Sequence, residues 1–493
     1  MNTAKRISMN RENTNLRLIQ NNGSRTNSAT LDRQRRWSMV AGSALFTALF
    51  ALGASSFMDL GSFYAASVYV SLWVTLSVAW SNFQELYGHE LKFSFRSAYA
   101  WPTVIGFAFT AFIFYAVGTG SRLPAEESYW TAVSQTLHQT SSLGNGRGAA
   151  LFPFFASLFH SLFGYREQHL FWVNFVACGL LLASVVRFGD KQFKNRAFGV
   201  ITVALLASFP LFGILATANN PDFLNALLLT ATAYQLYRFF QTPTLTRLEF
   251  ASVLTILAAQ ARPSSFFFMV PLCFAAYQNR KRLLAERPTL RTIALPLLCL
   301  PVAAMVNANH FVLNSFSPGY LMENIGEAVG FFINAKNTFL LSSQIFSLVA
   351  LASMAVLASQ WQRLTKQDPQ GIKAIGFVGL GLAAVTIGQY GFDQGDISSF
   401  ATARLVMVYL PLLALAAAYP VYRLYQRGEA APVVALLVIA NLCYQMPTHT
   451  RKAVHQAAGT RVESVTRSLA NTNPQRMNLK VSKTRTARAT LSP

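Results

Sequence analysis

The sequence predicts an all-α polytopic membrane protein, and three observations lead there. Hydrophobic residues make up 53% and charged residues 12% of the 493 positions, with a positive mean hydropathy, a balance foreign to soluble domains. The apolar residues gather into runs near the length a helix needs to cross a bilayer, about 20 residues. Lys and Arg, which give the formal charge of +22, collect in both termini and in short loops between those runs. That is the distribution of cytoplasmic loops rather than of a nucleic-acid face, so no nucleic-acid partner is expected.

Residues 1–37 form a polar, basic, Asn-rich leader, expected to be disordered and lacking the pattern of a cleavable signal peptide. The first apolar run is therefore expected to remain as an anchor. Spans are expected near 38–57, 62–80, 99–118, 168–187, 197–215, 223–240, 248–261, 262–277, 292–308, 338–358, 374–390, 403–420 and 431–446, about thirteen in all. Lys5, Arg6, Arg33, Arg35 and Arg36 precede the first of them and place the N-terminus in the cytoplasm. Alternation then puts Lys92 and Arg96, Arg187 to Arg196, Arg238 and Arg247, Arg280 to Arg291, Arg363 to Lys373, and Arg423 and Arg427 on the same side. The opposite face receives the 119–167 loop, the Asn219–Asp222 turn, the 309–337 loop and the turn of Asp393 and Asp396. The basic tail 447–493 breaks the pattern: either one span is miscounted, or the tail is a translocated extension.

Cys178, Cys273, Cys299 and Cys443 all fall in apolar runs, where they are small core hydrophobes rather than a disulfide framework or a metal site. No phosphate-binding G-x-x-x-x-G-K-[ST] loop, nucleophile elbow or zinc spacing occurs.

The longest polar interruption, residues 119–167, carries the candidate chemistry. Glu126 and Glu127 follow Leu-Pro and open SYWTAVSQTL, which reads as an amphipathic surface helix. A partly dehydrated carboxylate there suits a general base, and an acidic first turn equally suits the helix dipole. Arg147 stands in GNGRGAALFPFF, where glycines admit a ligand and the guanidinium suits phosphate; a snorkelling anchor is the plainer reading. The apolar segment after it, Ala149 to Phe163, is too short to span and is expected in the interface. Asp222 in ATANNPDF and Arg262 in AAQARPSS lie at the same face. Asp222 fits a helix start as well as a site, whereas Arg262 calls for an anionic partner, which a phosphate would supply. Arg404 opens a later span there, with an interfacial anchor as its plain reading. The 309–337 loop adds His310, Tyr320, Glu323, Glu327 and Lys336 in no recognisable spacing.

Taken in order, these pieces resemble the GT-C superfamily of polyprenyl-phosphate-sugar glycosyltransferases, in the branch of protein O-mannosyltransferases and lipid A aminoarabinose transferases. The resemblance runs through AEESY at 125–129, GRGAALFPFFASLFHSLFG at 146–164, FKNR at 193–196, LLASFPLFGIL at 205–215, NNPD at 219–222, ARPSS at 261–265 and ARLVMVYLPLLALAAA at 403–418. It departs at Ala125, which occupies the place of the family's acceptor-activating Asp. The resemblance implies a GT-C-like transmembrane bundle with outer-face amphipathic helices, transferring a sugar with inversion from a polyprenyl-phosphate donor to a glycan, lipid or protein acceptor. Glu126 or Glu127 would be the base and Asp222 its support, with Arg147, Arg262 and Arg404 on the lipid phosphate. A divalent cation is left open. The domains that follow are 1–37, the leader; 38–98, an additional N-terminal helix pair and connecting loop; 99–420, the catalytic module; 421–446, the last span; and 447–493, a tail expected to be disordered. The expected location is a bacterial inner membrane with the site facing the periplasm. A transporter or flippase for lipid-linked glycans would instead show internal repeats and mid-span charges. A polymerase or ligase would concentrate Arg and His in a late outer loop.

Overall fold

The computed structural model describes residues 30–47, 61–94, 99–119, 124–140, 150–193, 195–308, 317–333, 368–392 and 407–428, with a few single positions between 355 and 366. All regular structure among these residues is helical. In order they form α1 (residues 30–47), α2 (Gly61–Ser94), α3 (Ala100–Val117), α4 (Pro124–Thr140), α5 (Leu151–Phe163), α6 (His169–Phe193), α7 (Arg196–Ser208), α8 (Pro210–Ala216) and α9 (Asp222–Gln241). There follow α10 (Leu245–Ala261), the 3-10 helix η1 (Pro263–Phe268), α11 (Met269–Gln278), α12 (Arg280–Leu283), α13 (Leu290–Ala308), α14 (Pro318–Ile333), α15 (Pro369–Phe392) and α16 (Leu410–Gln426). Among the described residues, α3, α6 and α15 are long and apolar enough to cross a membrane. Trp73, Trp80, Tyr115 and Phe163 are exposed, large apolar surfaces that a bilayer accommodates more readily than water.

The helices follow the expected apolar runs closely, and the differences have local causes. α1 begins inside the expected leader, where Asp32 and Arg36 pair at 3.4 Å with i,i+4 spacing, one face of a helix. Its Ser43 and Thr47 hydroxyls donate to the carbonyls of Ile293 and Pro296, tying it to α13. Two expected spans are broken by proline. Phe209, before Pro210, and Arg262, before Pro263, both take extended backbone, because the proline ring excludes the α region for the residue ahead of it. The run 197–215 thus becomes α7 and α8, and 262–277 becomes η1 and α11. The 309–337 loop holds a helix that sequence spacing leaves unassigned, α14, fixed on α15 where Asn324 Nδ2 donates to the Tyr390 carbonyl at 2.8 Å. The span expected near 431–446 and the basic tail lie outside the described residues, as does all but single positions of the span near 338–358.

Small residues set the closest helix contact. A Cβ added to Gly106 of α3 would lie 2.5 Å from the Ala183 backbone nitrogen and 2.7 Å from the Gly179 carbonyl oxygen of α6. Glycine lets two backbones touch where lipid supplies no hydrophobic drive for helix association. Around this pair, α9 packs on α6 and α10, α10 on α2 and α13, and α15 on α9 and η1.

Candidate active site

The turn before α9 is held from several sides. Asn174 of α6 is fully buried; its Nδ2 donates to the carbonyls of Ala218 at 2.7 Å and Asn220 at 2.9 Å. Asn220 Oδ1 accepts the Asp222 N–H at 3.1 Å, meeting one of the donors that a helix start leaves open. Asn219 Nδ2 donates to Thr131 Oγ1 of α4 at 3.2 Å. The Asn-Asn-Pro-Asp sequence is thus both a helix start and a junction between α6, α9 and the surface helix.

Asp222, at the first position of α9, meets Arg262 at the break after α10. Arg262 Nε donates to Asp222 Oδ1; the carboxylate side chain is 4% exposed and the guanidinium 18%. One turn further on, Ser265 Oγ donates to Asn225 Oδ1 at 2.7 Å. Both bonds join residues 40 apart in sequence. They repeat because a step of three residues keeps to one face on an α-helix and on a 3-10 helix alike. Sequence reasoning seeks an anionic partner for Arg262 in a phosphate, and the fold already supplies one carboxylate.

Glu126 and Glu127 fall in the first turn of α4, which starts at Pro124, four residues ahead of the expected SYWTAVSQTL helix. Trp130, Val133, Ser134 and Leu137 are its buried stripe, the i, i+3, i+4, i+7 pattern of an amphipathic helix. The stripe packs on Leu151, Phe152 and Ala156 of α5, with Val68 and Leu72 of α2 in the same cluster. α5 itself has 13 residues, about 20 Å of helix against a hydrocarbon core of about 30 Å. It is too short to cross that core at this length. The Thr131–Asn219 bond ties α4 to the turn before Asp222. Arg147 and Arg404 lie outside the described residues.

Three features escape the sequence reading. An apolar cavity of about 440 Å³ lies between α5, α6, α9 and α10, lined by Leu151, Leu158, Val173, Leu224, Leu228 and Leu257 among others, all of them aliphatic or aromatic. Asp222 and Arg262 are not among its lining residues; what the cavity shares with the ion pair is the helices α9 and α10. Gln260, 1% exposed, has neither side-chain atom bonded to protein. His160 and His169, both buried, face one another with their Nδ1 atoms 2.8 Å apart. His160 sits in an apolar run and His169 follows the polar stretch Arg166–Glu167–Gln168, with no motif around either, and only the packing of α5 on α6 reveals the pair. Among the described residues, no group of three or more His, Cys, Asp or Glu side chains assembles as a metal site.

No curated protein matches the chain. A protein-family comparison does match, over residues 148–305. That segment runs from α5 into α13 and holds Asp222, Arg262 and most of the cavity lining; Arg147 stands one residue ahead of it, and Glu126, Glu127 and Arg404 lie beyond it. The family whose model matches is that of dolichyl-phosphate-mannose-protein mannosyltransferases, a GT-C type family, and the matched segment is about a third of the chain.

Proposed function

We propose that the protein transfers a sugar from a polyprenyl-phosphate donor to an acceptor at the face where α9 begins and α10 ends, and that this is the outer face of an inner membrane. The reading rests most on the buried Asp222–Arg262 pair, carried at the start of α9 and the end of α10, two helices that also line a cavity without a polar residue. A lipid-linked sugar has that division of chemistry: an apolar chain for the cavity, then an anionic phosphate and a hydroxylated ring at its polar end. About thirteen spans would form the scaffold, with α4 and α5 on the surface.

In this reading Glu126 or Glu127 takes the proton of the acceptor hydroxyl. The oxygen so freed attacks the anomeric carbon, the bond from that carbon to the phosphate oxygen breaks, and polyprenyl phosphate leaves with inversion at the sugar. Arg262, held in place by Asp222, and Arg147 and Arg404 carry the charge that grows on the leaving phosphate. Ala125 shifts the base one or two residues along α4 from the place the resemblance gives it. Purified protein given polyprenyl-phosphate sugars should lose about 100-fold or more in transfer rate on replacing the true base, by Glu126→Gln or Glu127→Gln, the range of general-base catalysis. Undiminished transfer by the doubly substituted protein would sink the assignment.

A further inference from the structure

We propose that His160 and His169 form a neutral-imidazole latch that positions α4, and with it Glu126 and Glu127, against the Asp222 end of the bundle, and that protonation opens it. The role of the two glutamates rests on the proposed glycosyltransferase reading; the latch itself does not.

The bonds fix the direction of each proton. Two Nδ1 atoms 2.8 Å apart need one N–H and one lone pair. The Arg166 backbone N–H also points at His160 Nδ1, at 3.5 Å, so that atom is the acceptor and His169 Nδ1–H the donor. His160 then carries its own proton on Nε2, which faces Ser134 Oγ of α4 at 3.5 Å. Ser134 in turn donates to the Thr131 carbonyl at 2.9 Å, leaving its oxygen free to accept from His160. Thr131 Oγ1 is the atom that receives Asn219, at the turn before Asp222. A continuous series of bonds therefore runs from α6 through α5 to α4 and back to the head of α9.

A further proton has no good place in it. On His160 Nδ1 it would set two donors against one another. On His169 Nε2, buried and without a protein partner, it would create a cation with no acceptor. The groups facing the pair give little help. α4 presents His138, its ring 5.5 Å from that of His160. The loop presents Tyr165, 4.8 Å away, followed by Arg166, which disfavours a second positive charge, and Glu167, an exposed carboxylate. α10, packed on α5, has no ionisable residue between Phe250 and Ala261. α2 offers Tyr69, which packs on Phe154. Burial first, then His169 and His138, push the His160 imidazole down to about 4. A histidine so lowered contributes stability above its unfolded value of about 6.5, and that contribution is lost as pH falls from there toward the folded value.

Hydrogen exchange of the full chain in lipid nanodiscs, followed by mass spectrometry and corrected for intrinsic rates, tests the latch without any sugar donor. Between pH 7.5 and pH 5, protection of residues 124–140 should fall at least about tenfold by this linkage, while that of residues 222–261 holds. The doubly substituted His160→Gln, His169→Gln protein should lose that pH dependence, and His138→Gln should keep it. Equal protection of α4 at both pH values in the native chain would overturn the proposal whatever the variants do, as would an unchanged pH dependence in the double variant. Absence of sugar transfer with the latch intact would count against the glycosyltransferase reading alone.

Discussion

The two ends of α10 solve the problem of buried charge differently. At its start, Glu249 is 2% exposed and accepts from the hydroxyls of Thr289 and Thr292, with Arg291 Nε at 3.8 Å. Arg291 also pairs with Glu85 of α2 and donates to Ser81 Oγ at 3.0 Å, while Thr246 donates to Glu85 Oε1 at 2.8 Å. Three helices are stapled by one network rich in hydroxyls. At its other end, the Asp222–Arg262 pair sits on a break in the helix, with carboxamides nearby in sequence or bonded to the same turn that retain open valences: Gln260 at both atoms, Asn220 at Nδ2 and Asn174 at Oδ1. Charge met from several helices by hydroxyls reads as a structural clamp. Glu249 Oε2 is open as well, so open valences do not separate the two ends; charge at a backbone break, on helices that also line an apolar cavity, reads as a place prepared for a ligand.

That contrast is broken most directly by exchanging one carboxylate at each end. Asp222→Asn should lower the rate of sugar transfer about 100-fold by loosening Arg262 from the leaving phosphate, the scale seen when an electrostatic stabiliser is lost. Glu249→Gln should leave the rate per folded molecule unchanged and lower stability by about 3 kcal/mol, as expected when one partner of a buried charged network is removed. Transfer kinetics and thermal unfolding in the same detergent measure both. Loss of activity in Glu249→Gln at full stability would erase the distinction between clamp and site.

How much of this can be read from the chain depends on the range of the interaction. The apolar runs, the short α5, the helix start at Asn-Asn-Pro-Asp and the acidic first turn of α4 are local patterns of period, length and capping, and they are visible in the sequence. The breaks at Phe209 and Arg262 are equally local, each set by the next proline, yet hydropathy alone merges the pieces on either side into single spans. The Asp222–Arg262 bond, the histidine pair and the cavity depend on which helices lie side by side. A histidine among Phe and Leu, as His160 is, gives no sign of a second one nine residues on until α5 and α6 fold back on each other and bring His169 to it.

A smaller effect sharpens the clamp. Burial alone would raise the Glu85 carboxyl, but hydrogen bonds from Arg291 and Thr246, and the Arg291 charge, hold it below the usual carboxylate range. A carboxylate lowered in this way stabilises the fold above its unfolded value and ceases to as pH falls through the folded one. The melting temperature of Arg291→Ala should therefore lie below that of the native chain at pH 7, and the gap should narrow as pH drops under about 4.5. A gap independent of pH would assign Arg291 to packing rather than to charge.

The smallest expected effect concerns Gln260. If its open amide serves only the fold, Gln260→Leu removes two buried polar atoms that lack partners and should raise stability by about 1 kcal/mol, the cost such atoms carry, with catalysis untouched. If it meets a hydroxyl of the sugar, the same change should raise KM for the lipid-linked donor about tenfold, the worth of one hydrogen bond in a buried site, and the gain in stability should appear only in protein without donor. Unfolding measured with and without the donor separates the two, because a hydrogen bond to the ligand adds stability only in the bound state. A stabilised variant with native KM would move Gln260 out of the site and leave the ion pair and the cavity as its boundary on the α10 side.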